Sequence, residues 1–295
     1  MFEDFEERRI DTGETEIFLR IGGSGPPLLL LHGYPQSHAC WHRVAPILAE
    51  HHTVICPDLR GYGRSGCPES DPAHEVYAKR AVARDQVRVM QALGFERFDL
   101  CGHDRGGRVA HRLARDWPAN VRRLALLDIM PTWETWEQYD RKAAMASYHW
   151  QFLAQPYDLP ERLVAHEPDY YLTWTLNSWA ASEQFWSEEA YQDYLAAIRQ
   201  PERFHAMCED YRAGAGLDLE HDAADRDRKL AMPLLVLWGG GHGRKDHWPF
   251  VEVWRENAEQ VEGRPLPCGH FLPEEAPDDT AAALAAFFTP DAEDS

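Results

Sequence analysis

Arg97-Phe98-Asp99-Leu100-Cys101-Gly102-His103-Asp104-Arg105-Gly106-Gly107-Arg108 is the stretch on which the reading of the fold turns. Its first five residues read as a short buried strand, and after Arg108 a helix is expected to about Trp117. Between strand and helix, Gly102-His103-Asp104-Arg105-Gly106 follows the pattern glycine, spacer, nucleophile, spacer, glycine. The glycines permit a tight turn that pushes the middle side chain outward. Asp104 occupies that middle place, and a carboxylate can attack carbon without a base to remove a proton first. Taken alone, an aspartate after a strand could simply cap the next helix. The paired glycines and a later histidine favour the nucleophile.

Working outward, the same alternation recurs. Residues 6–10 and 16–21 flank Asp11-Thr12-Gly13-Glu14, a hairpin signal. Pro27–Leu31 reads as a buried strand that stops at His32-Gly33-Tyr34-Pro35, and a helix is expected over about 38–50. Strands Thr53–Cys56 and Val121–Leu127 bracket a helix near 74–93, and Asp128 stands directly after the second of them. From about 131 to 226 no buried-strand run appears, the spacing turns helical, and six of the tryptophans fall here. Strand signals resume at Pro233–Trp238 and before Cys268-Gly269-His270, with helices near 249–257 and 278–288. The expected fold class is α/β: a mostly parallel, eight-stranded sheet flanked by helices, with an inserted helical cap. The core is expected over 1–130 and 227–295, and the cap over 131–226.

Asp104, Asp128 and His270 all fall at C-terminal strand ends, where open parallel sheets place their ligands. Their chain order is nucleophile, acid, histidine. A histidine activates water when a carboxylate holds its other nitrogen. The backbone N–H groups of Tyr34 and Arg105 both follow strand ends and can form an oxyanion hole.

Composition narrows the partners. The chain of 295 residues carries 30 Lys+Arg against 49 Asp+Glu, a formal charge of -19, which repels phosphate backbones and anionic membranes. Cys40, Cys56, Cys67, Cys101, Cys208 and Cys268 are scattered without a C-x-x-C pair, as in a reduced, cytoplasmic protein. The acidic first residues show no apolar signal segment, and the longest aliphatic run is far too short to span a bilayer.

These motifs resemble the α/β-hydrolase superfamily, in the branch with an aspartate nucleophile that includes haloalkane dehalogenases and epoxide hydrolases. The resemblance covers nearly the whole chain. More narrowly, Gly102–Arg108, Ser147-Tyr148-His149-Trp150, Met207–Gly214 and Gly269-His270-Phe271-Leu272-Pro273-Glu274-Glu275 resemble the fluoroacetate (haloacetate) dehalogenases. The resemblance implies that Asp104 attacks the halogen-bearing carbon and that Asp128 and His270 hydrolyse the ester. It implies that Arg105 and Arg108 bind the substrate carboxylate, and that His149, Trp150 and Tyr211 hold the departing halide. It implies a homodimer and requires no metal or organic cofactor. Tyr34 stands where such relatives often carry Phe, so its hydroxyl is a departure.

Plainer readings stand beside these. Arginines on a helix are usually surface charges, and aromatic residues at helical spacing are usually core. Trp179 fits a pocket wall and the core equally. Asp246 is a rival for the orienting acid, and His242 and His247 lack a tight metal-ligand set. Asp58-x-Arg60-Gly61-x-Gly63-x-Ser65 lacks the ending of a phosphate loop and reads as a structural turn. The competing activity is epoxide hydrolysis with the same Asp-His-Asp machinery, which requires two cap tyrosines aimed at the epoxide oxygen. A non-catalytic ligand-binding protein on the same scaffold is a further reading, against which the three catalytic side chains weigh.

Overall fold

A computed structural model describes residues 1–241 and 248–289. Among them, eight strands form one sheet in the order β1-β2-β4-β3-β5-β6-β7-β8. Their ranges are β1 Glu6–Asp11, β2 Glu16–Gly23, β3 Pro27–Leu31, β4 Thr53–Pro57, β5 Phe98–His103, β6 Val121–Leu127, β7 Leu234–Gly239 and β8 Val261–Leu266. Strand β2 runs antiparallel to both β1 and β4, and all other pairings are parallel.

The central strands are apolar on both faces because helices cover both. Leu28 to Leu31 and Leu124 to Leu127 are fully buried. Each such leucine contributes roughly 1.5–3 kcal/mol by leaving water. Register then aligns the strand ends: Leu31 pairs with Gly102, His103 with Leu127, and Leu127 with Leu237. The residues that follow β3, β5 and β6 therefore emerge at one level, and Tyr34, Asp104 and Asp128 come from those turns.

Between β6 and β7 the described chain forms eight helices and no strand, from Thr132–Glu137 to Leu217–Asp225. The helical spacing of the aromatic residues foretold this. Two helix expectations are corrected. The segment 38–50 is not a single helix: a 3-10 turn over His38–Trp41 is followed by a short helix over Ala45–Leu48. Pro46 lacks an N–H and is confined to the first turn of that second piece. The backbone N–H of His38, at the start of the first piece, donates to Oδ1 of Asp58 at 2.7 Å. Likewise the helix expected near 74–93 is a 3-10 turn, Glu75–Tyr77, and a helix, Lys79–Ala92, separated by the extended Ala78. No helix among the described residues is long and apolar enough to cross a membrane.

Candidate active site

The turn after β5 is as sharp as its glycines suggest. Asp104 has φ +47°, a left-handed conformation that costs a non-glycine residue about 1–3 kcal/mol. A Cβ on Gly102 would lie 2.4 Å from the Gly106 carbonyl oxygen, and one on Gly106 would lie 2.2 Å from that of His32. Only hydrogen fits at either place, so the strand–helix crossing itself requires both glycines. Asp104 is thereby held at the start of the Asp104–Asp116 helix, whose N-terminal dipole favours its charge.

The two oxygens of Asp104 have different surroundings. Oδ1 accepts the Tyr34 N–H at 2.8 Å, and Oδ2 lies 3.7 Å from Nε2 of His270. Gly33 makes the first approach possible, since a Cβ there would lie 2.4 Å from that of Asp104. Burial drives the Asp104 carboxyl up, but His270, His103, Arg105 and Arg108 together override it and hold it down at about 2. It is a carboxylate at neutral pH.

Asp128 is also held left-handed, at φ +57°. Its N–H donates to the Leu237 carbonyl at 2.7 Å, and its Oδ1 accepts the Gly239 N–H at 3.1 Å. Oδ2 makes a short hydrogen bond with Nδ1 of His270. A carboxylate can only accept, so the proton sits on Nδ1 and the Nε2 lone pair faces Asp104. The rival acid, Asp246, and the histidines His242 and His247 lie outside the described residues.

The substrate-side residues divide into two groups. Arg108, His149, Trp150 and Trp179 line a cavity of about 110 Å³ together with Asp104, Asp128 and His270. This is well under the roughly 300–1,000 Å³ of pockets for drug-sized ligands. Arg105, Tyr211 and Tyr34 stand behind that lining. Arg105 spends Nε and Nη2 on the Asp210 carboxylate and carbonyl, at 2.6 and 2.7 Å, and leaves buried Nη1 unpartnered. Its guanidinium carbon lies 4.2 Å from the centre of the Tyr211 ring. The Tyr34 hydroxyl donates to that of Tyr171 at 3.1 Å, so its backbone, not its side chain, addresses Asp104.

Arg108 donates Nη1 to the Met130 carbonyl and the Thr132 hydroxyl, both at 3.1 Å, and lies 4.3 Å over Trp150. Burial and the neighbouring Arg105 depress it to about 10, still a cation at neutral pH. Burial depresses His149 to about 3, so its imidazole is neutral and acts as a dipolar donor, not a charge.

Buried polar atoms are normally paired. Besides His103 Nδ1, five in the groups around Asp104 have no hydrogen-bond partner: Arg105 Nη1, Arg108 Nε, His149 Nδ1, Tyr211 Oη and His270 Nε2. Such a concentration around one ionised oxygen suits a small, polar, anionic ligand and a reaction that sheds negative charge.

Trp179, left open by the sequence, lines the cavity with its ring 4.2 Å from that of His149 and 5.4 Å from that of His270. Two positioning contacts went unread. Asp210 fixes Arg105 and is itself held by Lys79 and by the Tyr62 hydroxyl, the latter at 3.1 Å. Thr132 and the Met130 carbonyl fix Arg108. The sequence signal for Asp210 was its place inside the Met207–Gly214 motif, beside Tyr211 on the Pro201–Gly214 helix.

The α/β-hydrolase fold family matches residues 26–277, and the chain belongs to it. Within that class, the chain is 44% identical over 290 residues to a fluoroacetate dehalogenase from Burkholderia sp, covering 98% of this chain and 95% of the relative. It is 36% identical over 272 residues to a soluble epoxide hydrolase from Corynebacterium sp. (strain C12), covering 91% and 92%. Among solved structures, ALR0039 from Nostoc sp PCC 7120 matches with a TM-score of 0.97 at 50% identity, covering 98% of this chain and 99% of that one.

Proposed function

We propose that this protein is a hydrolytic dehalogenase that converts fluoroacetate, and other short 2-haloacids, to the 2-hydroxyacid and halide through an ester on Asp104. The observation that carries the reading is the unequal pair of oxygens on Asp104. One is anchored by the Tyr34 N–H, and the other is left beside His270 at a small cavity with cations behind and beside it.

In the first step Oδ2 bonds to the α-carbon while the carbon–halogen bond breaks, its electron pair leaving with the halide. Arg108 and the free Nη1 of Arg105 grip the substrate carboxylate and offset repulsion between two anions. His149, Trp150 and Tyr211 donate to the departing halide. Fluoride is strongly hydrated in water, so a dry site must substitute aimed donors. Each 1.4 kcal/mol of selective stabilisation is worth about tenfold in rate.

In the second step His270, oriented by Asp128, takes a proton from water as the water oxygen bonds to Cγ of Asp104. The oxyanion forms on Oδ1, already at the Tyr34 N–H, with the Arg105 N–H as second donor. Collapse breaks Cγ–Oδ2, and the leaving alkoxide takes the proton back from His270. The regenerated Asp104 acid then ionises readily, because its pKa is held at about 2. The chemistry requires no metal or organic cofactor.

On this reading residues 131–226 are a cap over the core formed by 1–130 and 227–295, the protein is cytoplasmic, and it acts as a homodimer. Light scattering on purified protein tests the dimer. Epoxide hydrolysis is disfavoured by one observation: no tyrosine is among the described residues lining the cavity, and of the two behind it the Tyr34 hydroxyl is engaged with Tyr171, which leaves Tyr211 as the one unpartnered phenol among the described residues there. Fluoride-selective detection with purified protein and fluoroacetate tests the main reading. Equimolar fluoride and glycolate are expected, abolished in Asp104→Asn. Absence of halide, with diol formed from epoxides instead, would overturn it.

A further inference from the structure

Glu274 and Glu275 end the stretch that follows His270, and the reaction above uses neither. Glu275 makes an unusual set of bonds. Its Oε1 accepts the Phe271 N–H at 2.9 Å, and its Oε2 accepts the N–H groups of Gly269 at 3.0 Å and Ala181 at 2.7 Å. Gly269 and Phe271 are the two chain neighbours of His270, so one carboxylate braces the backbone on both sides of it. Ala181 belongs to the insertion, two residues past Trp179. The backbone of His270 itself is held by the insertion and by β5: its N–H donates to the Trp179 carbonyl at 3.0 Å, and its carbonyl accepts from Nε2 of His103 at 2.8 Å.

The seam between the histidine loop and the insertion is tight. A Cβ on Gly269 would lie 2.4 Å from the Ala181 nitrogen, so the two segments meet backbone to backbone. The residue just ahead of that seam, Trp179, puts its ring against both His149 and His270.

We infer that Glu275 is a positioning residue for the ester-hydrolysis step: by holding Gly269 and Phe271 and tying them to Ala181, it keeps Nε2 of His270 set on Asp104. This rests on the aspartyl-ester reading. The physical case is one of donors and acceptors. Three N–H groups converge on a group that only accepts, and a carboxamide of the same shape supplies a single acceptor oxygen and two competing donors. Glu275→Gln therefore loosens at least one side of the loop while altering volume little. A displacement of about 1 Å at a reacting group can cost on the order of 100-fold in rate. Alkylation of Asp104 does not use His270 as a base, so the loss falls on one half-reaction.

Rapid-quench single-turnover measurements with chloroacetate, followed by intact-mass analysis, separate the two steps. For Glu275→Gln we expect adduct formation within about twofold of the parent, ester hydrolysis slowed about 10–100-fold, and the ester on Asp104 accumulating in the steady state. Glu275→Ala should show the same split more strongly; if it does not fold, Glu275→Gln decides. Equal slowing of both steps, as a general loss of packing would give, or unchanged hydrolysis, would overturn the inference. A His270→Asn control that forms no adduct would instead overturn the aspartyl-ester reading itself.

Discussion

The Tyr34 N–H binds one oxygen of Asp104, at 2.8 Å, and leaves the other to the cavity. That asymmetry assigns the two oxygens separate duties before any substrate arrives. On the proposed mechanism Oδ1 is already where the oxyanion would form, and Oδ2 is the nucleophile. No reorganisation of the carboxylate is needed between the two steps, which is the economy of a preorganised site.

It follows that the oxygen delivered to the product comes from Asp104, not directly from solvent. In a single turnover in H2(18)O with enzyme in excess, the label should appear in the Asp104 peptide, and the hydroxyacid should stay unlabelled. Label entering the product in that first turnover would mean that water attacks the α-carbon itself.

Among the described residues Arg108 is the cation that lines the cavity, whereas Arg105 has committed most of its fork to Asp210. Arg108→Gln should therefore raise KM for haloacetates roughly 10–100-fold, the worth of a charge-assisted hydrogen bond of about 1.5–3 kcal/mol. Turnover of the uncharged fluoroacetamide should change far less. Parallel losses on the acid and the amide would remove the carboxylate-binding role.

The charge on Asp104 makes a pH prediction. Its carboxyl is depressed to about 2, so the nucleophile is fully formed well below neutrality and its reactivity should not climb with pH above that. Measured as adduct formation in His270→Asn, where the basic partner is gone but Arg105 and Arg108 still favour the anion, alkylation should be flat from about pH 5 to 8. A rise with an apparent pKa inside that window would show that another group must lose a proton first.

Glu274 titrates in the opposite sense. Burial drives its carboxyl up to about 8 from an ordinary 4.5, against the opposing influence of Tyr194, Arg43 and Gln36. The folded state thus holds a proton that the unfolded state releases between those values. Its contribution to stability is complete below pH 4.5 and is lost as the pH rises through about 8. Thermal unfolding of Glu274→Gln, which cannot ionise, should lose several degrees less Tm between pH 5 and 9 than the parent. Superimposable Tm–pH curves would place the buried charge elsewhere.

Legibility followed distance along the chain. The turn at Asp104 was readable because its glycine pattern is local, although only Gly102 is constrained from within the turn; Gly106 is constrained by the His32 carbonyl just past β3. Asp128 and His270 were readable because strand ends of a parallel sheet converge. The single helix expected over 38–50 failed at Pro46, which has no N–H to continue the first turn and begins a separate piece, while Asp58, just past β4, fixes the start of the segment through the His38 N–H. Trp179 could not be placed because an aromatic side chain at helical spacing looks the same whether it faces a core or a cavity.

The sequence by itself determined the order of strands and helices, the strained turn that presents Asp104, and the roster of side chains that can do this chemistry. These depend on periodicity and on the sterics of neighbouring residues. Only the tertiary structure decided which of those side chains stand free and which are spoken for. Arg105 is turned to Asp210, Tyr34 contributes its backbone, and Glu275 grips both sides of His270. Those outcomes are competitions among donors and acceptors brought together from distant parts of the chain, and they are settled only when the chain has folded.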